Sequence, residues 1–257
     1  MLNGIRRALG RRISHYLSKS LPGYQRLDTI PIEGFAAVLR PGDILLVEGN
    51  TRISGAIKYL TQSSWSHACL YVGNSELEDC PDSQTSVEAL NLLEADLKDG
   101  VKLVSLKRYA DFNLRICRPL GLTEQERQQL IAFAKAKLGY QYDPKNIVDL
   151  MRYLIQKPAV PDRYRRSLIS FGSGEPTKAI CSTLIAESFQ SIDYPILPIR
   201  GPDGVNGEVP LFYKRHFTHF TPRDFDLSPY FEIIKPSLVE GFDFHQLNWR
   251  ESESTST

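Results

Sequence analysis

Residues 66–73 have the sequence Ser-His-Ala-Cys-Leu-Tyr-Val-Gly, a mainly apolar run that ends at a glycine. Apolar and aromatic residues followed by a glycine turn are typical of a β-strand. Successive side chains of a strand point to opposite faces, so His67, Cys69 and Tyr71 are expected to share one face. The run therefore predicts a strand that holds a histidine rigidly, as a functional site requires.

Other strand candidates surround this run. Before it, the turn Arg-Pro-Gly-Asp at 40–43 leads into an apolar run at 44–47, and residues 53–60 can form a short helix. After it, the polar segment 76–86 is expected to be a loop, and further strands are predicted at 90–95, 101–106 and 114–118. The first half of the chain is thus expected to form a small antiparallel sheet.

The second half of the chain has helical periodicity. Residues 123–138 are predicted to form a helix. It begins with Thr-Glu-Gln-Glu, the sequence pattern of a capping box, and ends before Gly139. Further helices are predicted at 144–155 and 181–191, with a loop at 157–177 between them. Sheet and helices together predict an α+β fold.

Composition and charge narrow the class of protein. The 257 residues have a formal net charge of +1, so the chain lacks the basic excess that is typical of nucleic-acid binding. Its four cysteines are far apart in a chain large enough to bury a core, which favours reduced thiols over disulfides. We therefore expect a cytoplasmic protein without a nucleic-acid partner.

The first residues form a separate pattern. Apolar residues recur every three or four positions from Leu2 to Leu21 with arginines between them, which predicts a basic amphipathic helix. Either this helix packs on the domain, or residues 1–20 make peripheral contact with an anionic membrane surface such as the inner membrane. We divide the chain into 1–34 (helix and connector), 35–240 (main domain) and 241–257 (tail).

Cys181 is the candidate nucleophile. It opens a predicted helix, where unpaired N–H groups and the helix dipole stabilise a thiolate. The backbone N–H groups of Cys181 and Ser182 are also candidates to bind the oxyanion of a tetrahedral intermediate. The alternative is a cysteine that only packs in the helix, because cysteine is among the residues most often buried.

A thiolate needs a base, and His67 is the best placed of five histidines. His15 falls in the N-terminal helix and His245 near the end of the chain. The base in turn needs a group that orients it by accepting a hydrogen bond from its other ring nitrogen. Glu94, which interrupts an apolar run, and Glu88 are the two candidates for this role.

Two metal sites are alternatives to this interpretation. His216 and His219 have the H-x-x-H spacing of some metal sites, but no second pair of ligands accompanies them. His67 with Cys69 and Cys80 lacks the close paired spacing of a zinc site. We therefore predict no metal.

Five short motifs occur in an order that resembles the permuted papain-like hydrolases of the NlpC superfamily, YiiX/YebB-like branch. In ordinary papain-like enzymes the nucleophile precedes the histidine, whereas in this branch the histidine and the acid come first and the cysteine last. The resemblance runs from Arg40 to Gln190. Its motifs are Arg-Pro-Gly-Asp-Ile-Leu (40–45), Ser-His-Ala-Cys-Leu-Tyr-Val-Gly (66–73), Leu-Glu-Ala (93–95) followed by Gly-Val (100–101), Tyr-Gln-Tyr-Asp (140–143) and Ile-Cys-Ser-Thr-Leu-Ile (180–185).

The resemblance implies a circularly permuted papain-like fold, in which a small antiparallel sheet or barrel packs against helices. It implies Cys181 as nucleophile, His67 as base and Glu94 as orienter, and the Gly-Val pair at 100–101 favours Glu94 over Glu88. The implied activity is that of a cysteine-dependent hydrolase of amidase or peptidase type, which works through a thioester acyl-enzyme and needs no cofactor.

Two other functions stay open at this point. One is a lipid-directed acyl hydrolase or acyltransferase, brought to a membrane surface by residues 1–20. The other is a binding module without catalysis, in which the segment from Arg163 to Arg166 holds an acidic ligand. The expected substrate of an enzyme is a small-molecule, peptide or lipid acyl compound.

Overall fold

A six-stranded antiparallel sheet forms the centre of the protein. The computed structural model describes residues 16, 19–27, 30–73, 87–96, 99–141, 180–200 and 212–236. The strands within these ranges are β1 (Ile44–Val47), β2 (His67–Tyr71), β3 (Leu90–Asp96), β4 (Gly100–Ser105), β5 (Leu114–Pro119), β6 (Ile199–Arg200), β7 (Phe212–Tyr213) and β8 (Phe231–Ile234). The central sheet has the order β4-β3-β2-β1-β5-β8, and β6 pairs with β7 in a second, two-stranded sheet.

Helices cover both faces of the central sheet. In the part of the chain that the structure describes they are α1 (Ile32–Val38), α2 (Arg52–Thr61), α3 (Glu124–Lys135), α4 (Ile180–Gln190) and α5 (Pro222–Leu227), with single 3₁₀ turns at Leu106–Tyr109 and Phe217–His219. Helix α3 begins with the predicted capping box. The Thr123 side chain accepts a hydrogen bond from the Glu126 N–H. The Glu126 carboxylate accepts a hydrogen bond from the Thr123 N–H, with a donor–acceptor distance of 2.9 Å.

The two faces of the sheet bury different side chains, as the alternation along each strand requires. On one face, Leu70 and Leu93 belong to a core that includes Leu184 and Phe189 of α4. On the other face, Cys69 and its neighbours pack in a core built on α1 and the 3₁₀ turn Leu106–Tyr109. The first core therefore positions α4 against the sheet, and the second positions the 3₁₀ turn.

The predicted antiparallel sheet is confirmed, and all five predicted strands occur in it. No sequence pattern predicts β8 or α5, nor α1, which begins at Ile32 and crosses the boundary placed at residue 34. Several predictions concern residues that lie wholly or mostly outside the described ranges, namely the N-terminal amphipathic helix, the loops at 76–86 and 157–177, the helix at 144–155 and the tail at 241–257.

The length and apolar character of the helices bear on membrane insertion. None of the helices within the described ranges combines the length and the apolar character that crossing a bilayer requires.

At Gly100, the Gly-Val motif at 100–101 packs against the start of the motif at 140–143. Its φ of +75° lies in the left-handed region, and a Cβ at this position would lie only 2.3 Å from the carbonyl oxygen of Tyr140. Backbone hydrogen bonds of 2.9 Å run from the Val101 N–H to the Tyr140 carbonyl and from the Gly139 N–H to the Val101 carbonyl. A glycine is therefore needed where residues 139 and 140 pass along the start of β4.

Gly121 offers a matched control for this close approach. Its φ is +74°, but a Cβ at this position would meet no atom of the described residues within 4 Å. We expect Gly121→Ala to cost about 1 kcal/mol of stability, from the left-handed backbone alone. Gly100→Ala should cost roughly 2 to 4 kcal/mol, because the Tyr140 carbonyl must also move. Urea unfolding of both variants measures the difference, and equal losses would contradict the role of the contact.

Candidate active site

His67 and Glu94 meet across two neighbouring strands. His67 is the first residue of β2, and Glu94 lies on β3, which pairs with β2 antiparallel. The Nε2 atom of His67 is 2.9 Å from Oε2 of Glu94. The histidine side chain is 22% exposed, whereas that of Glu94 is only 2% exposed. A buried carboxylate thus fixes Nε2 of the imidazole and leaves Nδ1 for another partner.

Several groups hold Glu94 in its ionised form. Its Oε2 atom also accepts a hydrogen bond from the Tyr109 hydroxyl. Its Oε1 atom lies 3.6 Å from Lys102 Nζ and 3.8 Å from Arg108 Nε. Burial raises the pKa of Glu94, but the contacts with His67, Tyr109 and Arg108 outweigh burial and lower the pKa to about 2. The carboxylate is therefore charged throughout the physiological pH range.

Cys181 lies in the first turn of α4, buried against the start of β2. The His67 imidazole and the backbone N–H groups of Ala68 and Ser182 lie near its thiol and act on its pKa. Burial raises the pKa of Cys181, yet the net shift is downward because the imidazolium and the two N–H groups stabilise the thiolate. The helix that carries the cysteine is thus docked where the thiol can lose its proton.

The pKa of His67 moves in the opposite direction. Burial lowers it, but the negative charge that develops on Cys69 or Cys181 beside the ring stabilises the imidazolium, and the net pKa lies well above its usual value. With the lowered pKa of Cys181, this shift favours a thiolate–imidazolium pair over a neutral thiol and imidazole. Cys181, His67 and Glu94 thus form a continuous series of interacting side chains, in which His67 and Glu94 are joined by a hydrogen bond.

A second thiol also lies against the imidazole. Cys69 is fully buried on β2, on the face that sequence alternation assigns to it, and its Sγ donates to the Tyr109 hydroxyl at 3.4 Å. Burial raises the pKa of the Cys69 thiol and the Glu94 carboxylate adds to this increase, whereas His67 and the Tyr109 hydroxyl lower the pKa; the net shift is upward. Burial therefore favours the thiol form of Cys69, although this residue lies near the same imidazole as the candidate nucleophile does.

Sequence reasoning gave no role to Tyr109. This residue ends the 3₁₀ turn that follows β4, and it is 5% exposed. The only signal in the sequence was an aromatic residue shortly after a strand, which more often indicates core packing than a hydrogen bond to a carboxylate.

The rival orienter and the predicted alternatives lie elsewhere. Glu88 is exposed and pairs with Lys107 Nζ at 2.6 Å. His216 stacks on Phe217 and contacts the Thr218 hydroxyl at 2.7 Å. The segment Arg163 to Arg166 and the side chain of Cys80 lie outside the described residues. Glu94 is therefore the acid that contacts His67 in the described part of the chain.

A metal ion has one potential set of ligands among the described residues. His67, Cys69 and Glu94 offer ligand atoms that all lie within 4.8 Å of one another. Nitrogen, sulfur and oxygen donors in this combination suit a borderline cation such as Zn²⁺. A cation bound there would compete with the hydrogen bond between His67 Nε2 and Glu94 Oε2.

The predicted oxyanion-binding groups lie at the same end of α4. Ser182 is buried, and its hydroxyl donates to the Phe220 carbonyl at 2.8 Å, which ties the first turn of the helix to the second 3₁₀ turn. The Ser182 N–H contacts the Cys181 thiol. Binding of an oxyanion by the N–H groups of Cys181 and Ser182 stays a prediction.

Comparison with known families gives the class of protein. Residues 38–153 match the family described as "Permuted papain-like amidase enzyme, YaeF/YiiX, C92 family". The match includes His67 and Glu94, ends before Cys181 and covers less than half of the chain. It supports a permuted papain-like enzyme of the hydrolase class, with which the mixed helices and antiparallel sheet agree. Membership of the NlpC superfamily and of the YebB-like branch stays a prediction.

The chain is also similar to individual proteins, of which two are given. The "Probable lipoprotein peptidase YaeF" of Escherichia coli strain K12 is 22% identical over 174 residues, which are 62% of this chain and 58% of that protein. The chain thus spans less than two thirds of this relative. A solved structure titled "Crystal structure of metalloprotein yiiX from Escherichia coli O157:H7" aligns over 77% of this chain and 97% of that chain, with 17% identity and a TM-score of 0.46.

The lowered pKa of Glu94 predicts a pH-dependent contribution to stability. The folded value of about 2 lies below the ordinary value of 4.5, so the stabilisation is complete above pH 4.5 and is lost as the pH falls through 2. Glu94→Gln should therefore reduce the free energy of unfolding by about 3 kcal/mol at pH 7 and by much less at pH 3. Urea unfolding at several pH values measures this.

The exposed Glu124 supplies a control for the same substitution. Glu124→Gln should change stability by less than about 0.5 kcal/mol at neutral pH, as is usual on a surface. A difference between wild type and Glu94→Gln that is the same at pH 3 and pH 7 would contradict the ionised, buried carboxylate.

Proposed function

We propose that this protein is a cysteine-dependent hydrolase of amidase or peptidase type that works through a thioester acyl-enzyme. In this proposal Cys181 is the nucleophile, His67 is the base and Glu94 orients the base. The observation that carries it is the continuous chain of contacts from the Cys181 thiol through His67 to the buried Glu94 carboxylate. A histidine between a thiol and a carboxylate is the arrangement that activates a nucleophile.

The reaction follows from the charges of these groups. His67 takes the proton of Cys181, and the thiolate attacks the carbonyl carbon of an amide, so that an S–C bond forms and the carbonyl oxygen becomes an oxyanion. The N–H groups of Cys181 and Ser182 donate to this oxyanion. The imidazolium of His67 then gives its proton to the leaving amine as the C–N bond breaks, and a thioester remains on Cys181.

Water completes the cycle at the same base. His67, neutral again, takes a proton from a water molecule, whose oxygen attacks the thioester carbon. The C–S bond breaks, the acid product leaves, and Cys181 recovers its proton from the imidazolium. Glu94 stays ionised throughout, since its pKa of about 2 is far below that of the imidazolium. Its part is to fix the ring and to stabilise the positive charge.

The family comparison and the contacts support different parts of the proposal. The family match supports hydrolase chemistry and includes His67 and Glu94, but it does not reach Cys181. The nucleophile is therefore argued from its contacts with His67, Ala68 and Ser182. Nothing favours the lipid-directed or ligand-binding alternatives, and a cytoplasmic location with membrane contact through residues 1–20 stays a prediction.

Thiol alkylation tests the proposed pair directly. We expect iodoacetamide to label Cys181 at pH 6 to 7, because the imidazolium keeps the thiolate populated there, and His67→Ala to slow this labelling roughly 10- to 100-fold. Cys117 is the internal control, since burial raises the pKa of its thiol. Peptide mapping by mass spectrometry assigns each label to its cysteine. Labelling of Cys181 that is no faster than that of Cys117, or that is unchanged by His67→Ala, would refute the pair.

Hydrolysis tests the nucleophile and the substrate class. Small amide, peptide, ester and phospholipid substrates should be compared for wild type and Cys181→Ala, and we expect amide or peptide turnover that the variant lacks. Acid quenching followed by mass spectrometry should find the acyl group on Cys181 and hydroxylamine should release it. Hydrolysis that survives Cys181→Ala would exclude the proposed mechanism.

A further inference from the structure

We propose that Arg108 is a substrate-binding residue of this site, whose guanidinium holds a carboxylate of the substrate near the amide that Cys181 attacks. The substrate class is then an amide or peptide that carries a carboxylate close to the bond that breaks. This inference rests on the proposed function, because it assumes that Cys181 and His67 are the reacting pair. Neither the sequence motifs nor the family description assigns a role to Arg108.

Arg108 lies beside the buried acid of the site. It belongs to the 3₁₀ turn Leu106–Tyr109, and its Nε atom is 3.8 Å from Oε1 of Glu94. The other oxygen of the same carboxylate, Oε2, is 2.9 Å from His67 Nε2. The guanidinium and the imidazole therefore lie on either side of one carboxylate. Because the Arg108 side chain is 54% exposed, it presents a permanent positive charge to solvent next to the base.

The fold holds this guanidinium only loosely. Its distance of 3.8 Å from Glu94 is longer than a hydrogen bond, and an exposed ion pair of this kind contributes little to stability. Nε is the nitrogen that approaches Glu94, so the fork of the two Nη groups lies farther from that carboxylate. A fork of two N–H groups binds a carboxylate most strongly when it donates to both oxygens. Arg108 can offer such a fork to a ligand.

Arg118 shows the contacts of an arginine that has a structural role in this protein. Its side chain is only 17% exposed, and its Nε and Nη2 groups donate to the two oxygens of Asp43 at 2.9 and 2.7 Å. Nη2 also donates to the Val38 carbonyl at 2.6 Å. Arg108 has no comparable set of acceptors among the described residues. This contrast favours a ligand, rather than the fold, as the partner of its Nη groups.

The Glu94 carboxylate offers a second observation. Its Oε1 atom is buried but makes no hydrogen bond within the described part of the chain, because Lys102 and Arg108 both stay at ion-pair distance. Lys102 Nζ is already engaged by Asp96 and Asp99, each at 2.5 Å. Arg108 pairs with no other carboxylate of the described residues. A substrate carboxylate on its Nη groups would leave Nε free to donate to Oε1, which completes this buried oxygen.

Lys107 supplies a matched control, because it neighbours Arg108 in the same turn and points elsewhere. Its Nζ atom pairs with Glu88 at 2.6 Å, before the start of β3, whereas Arg108 pairs with Glu94 near the end of that strand. The Lys107 side chain is 64% exposed. Lys107→Gln therefore removes one positive charge from the turn and leaves the cation beside the site in place.

Matched pairs of substrates test the proposal. One pair of peptide amides has glutamate or glutamine on the acyl side, and the other has a free or an amidated carboxyl terminus on the leaving side. We expect wild type to favour the carboxylate member of one pair about 10- to 100-fold in kcat/KM, mainly through KM, as charge-assisted hydrogen bonds do. Arg108→Gln should lose this preference, and Arg108→Lys should keep part of it because lysine retains the charge without the fork. Lys107→Gln should keep the full preference.

The ratio of kcat/KM within a pair separates recognition of substrate from support of Glu94. An arginine that only stabilised Glu94 would, when replaced, lower kcat/KM for charged and neutral substrates alike. An unchanged ratio in Arg108→Gln, or a wild-type protein that prefers neither carboxylate substrate, would overturn the inference. The pair that shows the preference also identifies the side of the amide on which the carboxylate lies.

Binding without turnover keeps this test separate from that of the proposed function. By isothermal titration calorimetry, Cys181→Ala should bind one of the carboxylate substrates about 10-fold or more tightly than its neutral partner. Adding Arg108→Gln to this variant should make the two affinities equal. Equal affinities in Cys181→Ala alone, or a preference that survives Arg108→Gln, would rule out recognition by Arg108. Failure of the proposed function appears instead as hydrolysis that survives Cys181→Ala.

Discussion

The hydrogen bond between the His67 imidazole and the buried Glu94 carboxylate is the constraint on which the rest of the site depends. A carboxylate that is only 2% exposed is costly unless it is ionised beside partners that compensate for its lost hydration. The imidazole, the Tyr109 hydroxyl and two cations supply that compensation. The pairing of β2 with β3 is equally constrained, because a slip of one residue would turn Glu94 to the opposite face of the sheet.

Two cysteines lie near the imidazole of His67. Negative charge on either sulfur would stabilise the imidazolium of His67. The surroundings of the two sulfurs differ: backbone N–H groups help to lower the pKa of Cys181, whereas burial and the Glu94 carboxylate raise the pKa of Cys69. Electrostatic surroundings thus favour the thiolate form of Cys181 over that of Cys69.

Much of this arrangement follows from local sequence, and the rest depends on tertiary contacts. Alternation along a strand predicts that His67 and Cys69 share a face, and a charged residue within an apolar strand marks Glu94 as a group in need of a partner. The capping box at Thr123 is likewise local and occurs as predicted. Strand β8 was not predictable, because it is defined by its pairing with β5 rather than by its own periodicity. The hydrogen bond from Tyr109 to Glu94 was not predictable either, because it too depends on tertiary contacts.

The order of these elements along the chain has a consequence for when the protein becomes reactive. The strands that carry His67 and Glu94 are synthesised well before α4, and Cys181 arrives with that helix. Before α4 docks, the thiol lacks both the imidazole and the Ala68 N–H, and it has the acidity of an ordinary free cysteine. In the proposed mechanism, nascent and misfolded chains therefore carry no activated thiol at this position, and the reactive thiolate forms only when α4 has packed.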